Sequence, residues 1–285
     1  MSRLPRAALG LTLAAALTLT ACTPVEEVLQ DLADDALEQN GIVILDEVDR
    51  DDPFGGTEAE DYAEGFAAPE EAEAVGPYPR ARVREAHELT RELLEAVYLD
   101  QDAVFGQDNS EFTSLLTPQS LDWYLENLGH EDPELDTRDI PFNLTPGTAE
   151  PIGDVVKVDG RMWAEEASDP NGLDYLAVRT EYTIVHPVAR PGEPVSVRLV
   201  TSHLGEVSFY DMGDGTWELW PSWTRFVGPA HCLPDQPTWT PAYPDEWPDP
   251  EGERPEGRPE DAYDLDNARD RVADQEWECG AIEGT

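Results

Sequence analysis

Residues 173–188, LDYLAVRTEYTIVHPV, and residues 194–211, PVSVRLVTSHLGEVSFYD, decide the fold of this chain. Both stretches are rich in β-branched and aromatic residues, and apolar side chains alternate with polar ones, which is typical of β-strands. Between them, Arg190-Pro191-Gly192 has the composition of a turn. The sequence therefore predicts two long antiparallel strands joined as a hairpin.

Shorter strands are predicted on both sides of this hairpin. The first two are expected to pair across a turn at Asp159-Gly160, and Gly213-Asp214-Gly215 is expected to turn the chain into the last two. These shorter strands are predicted at residues 155–158, 161–166, 216–220 and 223–227.

Helices are predicted ahead of the strands. Apolar residues recur with a helical period from 81 to 105, and again from 118 to 128, where Thr117-Pro118 supplies an N-cap and a first helical residue. Helices followed by four to six antiparallel strands predict an α+β domain over residues 80–232. We expect its helices to pack on one face of a curved sheet.

This order of elements, over about residues 80–230, resembles the NTF2-like (cystatin-related) superfamily. Members of that family pack helices on a bent sheet that forms a cone with a pocket, so the resemblance implies a pocket on the concave face here. It implies no particular catalytic residue, because the pocket acids and histidines vary among the members that are enzymes.

The segments that flank the domain differ from it in composition. Residues 22–79 are strongly acidic with few aromatic residues, which predicts a mostly disordered tether. Within it, residues 25–39 have a helical period and could form either a docking helix or a transient helix in a spacer. Residues 233–285 are rich in proline and acid; they are either a recognition segment or a tail laid over the domain surface.

The N-terminus has the pattern of a secretory signal. Arg3 and Arg6 precede an apolar run from Ala7 to Leu19, which is too short to span a bilayer as a permanent helix. Residues 19–22, LTAC, follow this run and resemble the lipobox of bacterial lipoproteins.

The lipobox resemblance implies that residues 1–21 are a lipoprotein signal peptide and that Cys22 becomes a lipidated N-terminus. The protein would then be attached by a diacylglycerol and palmitate anchor to the outer face of the bacterial cell membrane. The alternative is an ordinary signal peptide, with Cys22 free or in a disulfide. With Cys22 lipidated, Cys232 and Cys279 remain, and we expect them to form one disulfide in this oxidising compartment.

The charge of the chain excludes several partners. It has 285 residues, of which 62 are acidic and 18 are basic, giving a formal net charge of −44. Removal of Arg3 and Arg6 would make the mature chain more negative still. Nucleic acids and anionic lipid surfaces require a basic face, so the membrane is expected to be contacted through the lipid anchor only.

Two histidines are the leading candidates for a pocket base. By strand alternation His186, His203 and Tyr182 lie on apolar faces of the long hairpin. With a turn centred near Pro191, His203 is expected opposite Val178, which places the two histidines roughly 25 Å apart. They cannot form one dyad, and each is either a core histidine or a single pocket base.

Other motifs of catalysis and cofactor binding are absent from the sequence. There is no GxSxG, SxxK, P-loop, GxGxxG or CxxC motif, and no Cys/His cluster with zinc spacing. Asp211 and Asp214 flank a glycine-rich turn but lack the spacing of a calcium loop. We therefore expect no cofactor and no metal.

These observations predict a binding or envelope-associated structural domain whose partner is a small apolar ligand or an envelope protein. The alternative is a pocket enzyme of isomerase or hydrolase type on an NTF2-like fold, with His203 as its base. A perturbed histidine in an open pocket would favour the enzyme. An inner face closed by Phe209, Trp217 and Leu219 would favour the binding domain.

Overall fold

A computed structural model describes residues 48–132, 135–231, 233, 236–246 and 263–274. These residues form an α+β unit, as the sequence predicts. The strands are β1 (Ala63–Glu64), β2 (Glu150–Pro151), β3 (Lys157–Ser168), β4 (Asp174–Ala189), β5 (Ser196–Asp211) and β6 (Trp217–Gly228). The helices are α1 (Arg80–Tyr98), α2 (Gln101–Gly106), α3 (Ser110–Leu115), α4 (Pro118–Glu126) and α5 (Leu265–Asp274).

The six strands form one antiparallel sheet in the order β1-β3-β4-β5-β6, and β2 pairs with β4 beyond the end of β3. The long hairpin of β4 and β5 is its centre, which confirms the two long strands. The sheet is open, because β1 and β6 do not pair with each other.

The predicted hairpin across Asp159-Gly160 is wrong. β3 runs without interruption, and Gly160 pairs with Tyr182 of β4 at a φ of +136°. A Cβ atom at Gly160 would lie 2.1 Å from the backbone oxygen of Glu181. Glycine is therefore required here by the close approach of two strands rather than by a turn.

The two strands predicted at 216–220 and 223–227 are one strand, β6. Pro221 lies within it and pairs with Val207 of β5. Proline is tolerated here because β6 is the last strand of the sheet, so no ladder bond is lost on its free side.

The long predicted helix from 81 to 105 is divided in two. α1 ends at Tyr98, and the side chain of Asp100 accepts a hydrogen bond from the backbone nitrogen of Asp102, which starts α2. The second predicted helix is confirmed as α4. Thr117 is its N-cap and Pro118 its first residue, although the helix ends at Glu126 rather than near 128.

The sheet is covered on both faces, whereas the sequence predicted helices on one face only. α1 packs against β3 and β4 on what we call the inner face. The opposite, outer face is partly covered by Phe54, Ala59 and by Ala268 of α5, which pack against Val185 and Val200.

Both flanking segments contribute to the folded unit. Residues 48–79, assigned to the tether by composition, bury Phe66 and Tyr78 in the main core, and β1 pairs with β3. On the C-terminal side, Trp239 bridges to Leu144, and Tyr243 is buried. The described part of the tail therefore lies over the domain, and residues 80–232 are not the complete folded unit.

The start of α4 is held by a carboxylate from another element. Glu218 of β6 accepts hydrogen bonds from the backbone nitrogen of Ser120, at 3.1 Å, and from the hydroxyl of Thr117. A carboxylate at a helix N-terminus satisfies free N–H groups and interacts favourably with the helix dipole. The Thr117 side chain itself makes no capping bond to the backbone.

Glu218→Gln is expected to lower the free energy of unfolding by about 1–2 kcal/mol, because the amide keeps the shape but loses the charge at the cap. Urea denaturation followed by tryptophan fluorescence measures this. Glu88→Gln, a charge loss on the exposed side of α1, should stay within about 0.5 kcal/mol of the parent protein. Equal effects of the two changes would contradict the capping role.

Candidate functional site

His203 of β5 is completely buried on the inner face. Its Nδ1 atom lies 2.8 Å from the hydroxyl of Tyr98, and its Nε2 atom lies 2.9 Å from the hydroxyl of Thr180. A neutral imidazole donates through one nitrogen and accepts through the other, so these two hydroxyls satisfy the ring completely. His203 therefore has no nitrogen left for a substrate.

Arg225 of β6 lies opposite His203 and is also buried. Its guanidinium donates hydrogen bonds to the carbonyl oxygens of Ile140, at 2.6 Å, and Pro141, at 3.0 Å. It also lies over the ring of Tyr98, with 5.5 Å between the guanidinium carbon and the ring centroid. Carbonyl oxygens and ring faces thus replace the hydration that this cation loses on burial.

The protonation state of His203 follows from these surroundings. Burial, together with a smaller effect of the nearby positive charge of Arg225, lowers the pKa of His203 to about 3. Burial raises the pKa of the Tyr98 hydroxyl to about 12, against a smaller opposing effect of Arg225. Both groups are therefore neutral at physiological pH, and the pair is a structural hydrogen bond in the core.

His186 of β4 has a different arrangement. Its Nε2 atom donates to the carbonyl oxygen of Tyr98 at 2.8 Å, and its ring stacks on Phe142 at 5.3 Å. Its Nδ1 atom is buried without a hydrogen-bond partner among the described residues. Burial lowers the pKa of His186 to about 4, an effect that the bond to Tyr98 only partly opposes.

His186 lines a small recess between the end of α1 and the β2 region. Its other walls include Leu99, Val104, Ile152 and Pro187, so they are mainly apolar. The recess has room for about one water molecule. It is far smaller than the several hundred Å³ of a typical small-molecule site.

Tyr182 lies beside His203 but is not hydrogen-bonded to it. It pairs with His203 across β4 and β5, and its ring meets Phe66 edge-on at 5.0 Å. Its hydroxyl is buried without a partner among the described residues, and burial raises its pKa above the ordinary value. The structure thus brings two of the three predicted site residues together.

The predicted register of the long hairpin is wrong. His203 lies opposite Tyr182 rather than Val178, and His186 lies opposite Leu199. The two histidines are therefore separated by four strand positions, roughly 13 Å, instead of eight. They still form no dyad, although Tyr98 contacts both, through its hydroxyl and through its carbonyl oxygen.

The far end of the inner face is closed by aromatic and aliphatic packing. Phe209, Trp217 and Leu219 are buried, and the rings of Phe209 and Trp217 meet edge-on at 5.5 Å. Among the described residues, these buried side chains fill this end of the inner face.

Asp211 and Asp214 form the hairpin turn between β5 and β6. Asp211 accepts a hydrogen bond from the nitrogen of Gly213, and Asp214 accepts one from the nitrogen of Thr216, both at 2.9 Å. These local bonds account for both carboxylates. Over the described ranges, no group of three or more histidine, cysteine, aspartate or glutamate side chains is arranged to hold a metal ion.

Tyr98 and Arg225 were missed by the sequence analysis. Arg225 shares the inner face of β6 with Trp223 and Val227. An arginine at an inward strand position was therefore the feature of the sequence that could have indicated a buried polar site. Tyr98 had no such signal, because it lies in a helix 105 positions away from His203.

The predicted modification sites lie outside the described residues. Cys22, Cys232 and Cys279 are among the residues that the structure does not describe, so the lipid anchor and the disulfide stay predictions. Within the described part of the chain, every helix is too short or too polar to cross a membrane.

Comparisons with protein-family models, with curated proteins and with solved structures found no match for this chain.

Proposed function

We propose that this chain is a lipid-anchored extracytoplasmic domain that binds a protein component of the cell envelope through its exposed surface. One observation carries the proposal: the inner face is filled by its own side chains, with His203 satisfied by Tyr98 and Thr180. A small-molecule carrier or pocket enzyme needs a cleft that encloses its ligand. A partner must then be recognised from outside.

The order of helices and strands supports an NTF2-like fold whose cone is filled rather than hollow. The LTAC motif at 19–22 supports attachment through Cys22, and two acyl chains suffice for stable membrane association. The acidic residues ahead of Val48 would separate the folded unit from the membrane surface.

Cys22→Ser is expected to move the protein from the membrane fraction to the soluble fraction or to leave it unprocessed, because each acyl methylene contributes roughly 0.8 kcal/mol to membrane binding. Fractionation and mass spectrometry of the N-terminus measure this. Cys279→Ser removes a cysteine but keeps the lipobox, so it should stay in the membrane fraction. If Cys22→Ser fractionates and migrates like the parent protein, the lipoprotein proposal is wrong.

The binding role can be tested on the protein extracted from its own membranes. We expect a protein partner to co-purify with it in a fixed ratio, as shown by mass spectrometry of both proteins and small molecules in the eluate. A small molecule recovered in a fixed ratio instead, and lost with His186→Leu, would support the isomerase or hydrolase alternative. The unpartnered Nδ1 atom of His186 beside the recess is the observation that favours this second candidate.

A further inference from the structure

α4 carries an apolar stripe on its surface. Leu121 and Leu125 are four residues apart and therefore share one side of α4, and Leu128 follows in the turn after the helix ends at Glu126. Leu125 and Leu128 are 52% and 46% exposed. Leu121 is half-buried and packs on the main core, which fixes the stripe to the domain.

The loop after α4 carries a further exposed leucine. Leu135 is 43% exposed. The loop is held against the end of α4 by two bonds, from Gly129 N to the Asp136 carboxylate at 2.9 Å and from Thr137 N to the Asn127 carbonyl at 3.3 Å. We call Leu121, Leu125, Leu128 and Leu135 the α4 stripe.

The other large apolar residues exposed on the described part of the main domain do not cluster in this way. Val155 lies before β3 and Leu233 follows β6, whereas Leu173 and Met212 flank the paired ends of β4 and β5, where the register places them opposite each other as a single pair. Single exposed apolar residues are ordinary on protein surfaces. A contiguous apolar patch with a polar rim marks an interaction site.

The rim of the α4 stripe is acidic. Asp122 and Glu126 are exposed on the neighbouring side of α4, and neither forms an ion pair with any described residue. Glu131 is exposed beyond the end of the helix. The nearby Arg138 is paired with Asp136 at 2.5 Å, so it does not offset this charge.

We propose that the α4 stripe is the docking surface for a basic amphipathic helix of an envelope protein; this rests on the proposed function and specifies its surface. Leucines at this spacing bury the apolar side of a second helix, as helix-in-groove complexes do. Lysine or arginine beside the apolar side of that helix would meet Asp122 and Glu126.

Charge argues against the other occupants. A second copy of the chain would bring two acidic rims together, and an anionic lipid surface would be repelled. The segment 25–39 of this chain has an apolar helical side, but it contains six acidic residues and no lysine or arginine. None of these three complements the rim.

The test uses the full mature chain and two synthetic peptides of identical composition, made from leucine, alanine and lysine. One places its leucines along one helix side, and the other scrambles them. The scrambled peptide is essential, because a chain this acidic attracts any cationic peptide. Fluorescence anisotropy at physiological salt should show the amphipathic peptide binding roughly tenfold more tightly than the scrambled one.

Leu125→Gln combined with Leu128→Gln should abolish this preference without changing the charge of the protein. Leu173→Gln combined with Met212→Gln is the matched control and should retain it. Both double variants replace exposed residues, so both should melt within a few degrees of the parent protein. Loss of the preference in the control, or no preference in the parent protein, overturns the proposal.

Two further outcomes overturn it in favour of another occupant. The first is a concentration-dependent dimer of the chain, and the second is binding to phosphatidylglycerol vesicles; either must be lost when Leu125→Gln and Leu128→Gln are combined.

The co-purification experiment distinguishes an error in the docking surface from an error in the proposed function. If the membrane partner co-purifies equally with this double variant, the function stands and the surface is wrong; if no protein co-purifies with the parent protein, the function is wrong.

Discussion

Replacing Gly160 with alanine is expected to lower the free energy of unfolding by at least about 3 kcal/mol, or to prevent folding. The added Cβ atom would lie 2.1 Å from the backbone oxygen of Glu181 and 2.7 Å from the Cα atom of Tyr182. Backbone atoms cannot rotate away as a side chain can, so β3 and β4 would have to separate. The φ of +136° adds backbone strain for any residue other than glycine.

Gly192→Ala is the matched control for this prediction. Gly192 also has a positive φ, +75°, but nothing lies within 4 Å of its would-be Cβ atom. Gly192→Ala should therefore lower the free energy of unfolding only through backbone strain, by about 1–2 kcal/mol. Chemical denaturation of both variants compares them directly. If Gly160→Ala costs no more than Gly192→Ala, β3 is interrupted at Gly160, and the hairpin predicted from the sequence would regain support.

Gly160 also shows why part of the fold could not be predicted. The dipeptide Asp159-Gly160 is a common hairpin signal, but glycine serves both turns and the close approach of two backbones. Which role applies depends on the neighbouring strand, which is remote in sequence. The 16-residue strands β4 and β5 were predictable because their alternation is long enough to exclude a helix.

The flanking segments illustrate a second limit. Their average composition predicts disorder over 22–79, yet single residues such as Phe54, Phe66 and Tyr78 are buried on the sheet. Composition measures how much apolar surface a segment carries, not whether the domain leaves a gap of matching shape. The register of the long hairpin failed for a similar reason, since it depends on the conformation of the loop at 190–195.

For the candidate site, alternation placed His203 on the inner face, as the structure shows. It did not reveal that the Tyr98 hydroxyl and Thr180 would occupy both nitrogens of the ring. A buried catalytic base and a satisfied core histidine have the same local pattern, and only long-range partners distinguish them.

The stability of the folded unit is expected to fall as pH decreases from 7 to 5, because two histidines are buried in the neutral form. In the unfolded chain each histidine takes up a proton near its ordinary pKa of about 6.5. In the folded protein the pKa is about 4 for His186 and about 3 for His203. Between these values only the unfolded state binds the protons, so acid favours unfolding.

The expected loss at pH 5 is about 2 kcal/mol for each of the two histidines, or about 4 kcal/mol in total. Burial also lowers the pKa of His87, which acts in the same direction. Two carboxyl groups have resolved effects of different sign: the hydrogen bond from Arg269 lowers the pKa of Glu181, so acid destabilises the folded state there as well, whereas burial raises the pKa of Asp139, which has the opposite effect. The contribution of a single histidine is therefore measured by substituting it.

Urea denaturation at several pH values gives the number of protons taken up on unfolding from the slope of the free energy against pH. With His186→Leu, the slope should correspond to about one proton fewer taken up on unfolding. Loss of the bond to Tyr98 lowers stability as well, but it does so at every pH and so leaves the slope unaffected. Val188→Ala removes buried apolar packing from the same strand without a titratable group, so it should lower stability at every pH and leave the slope unchanged. A free energy of unfolding that is constant from pH 7 to 5 would show that His186 and His203 are not held neutral, and the buried Tyr98–His203 arrangement would then be wrong.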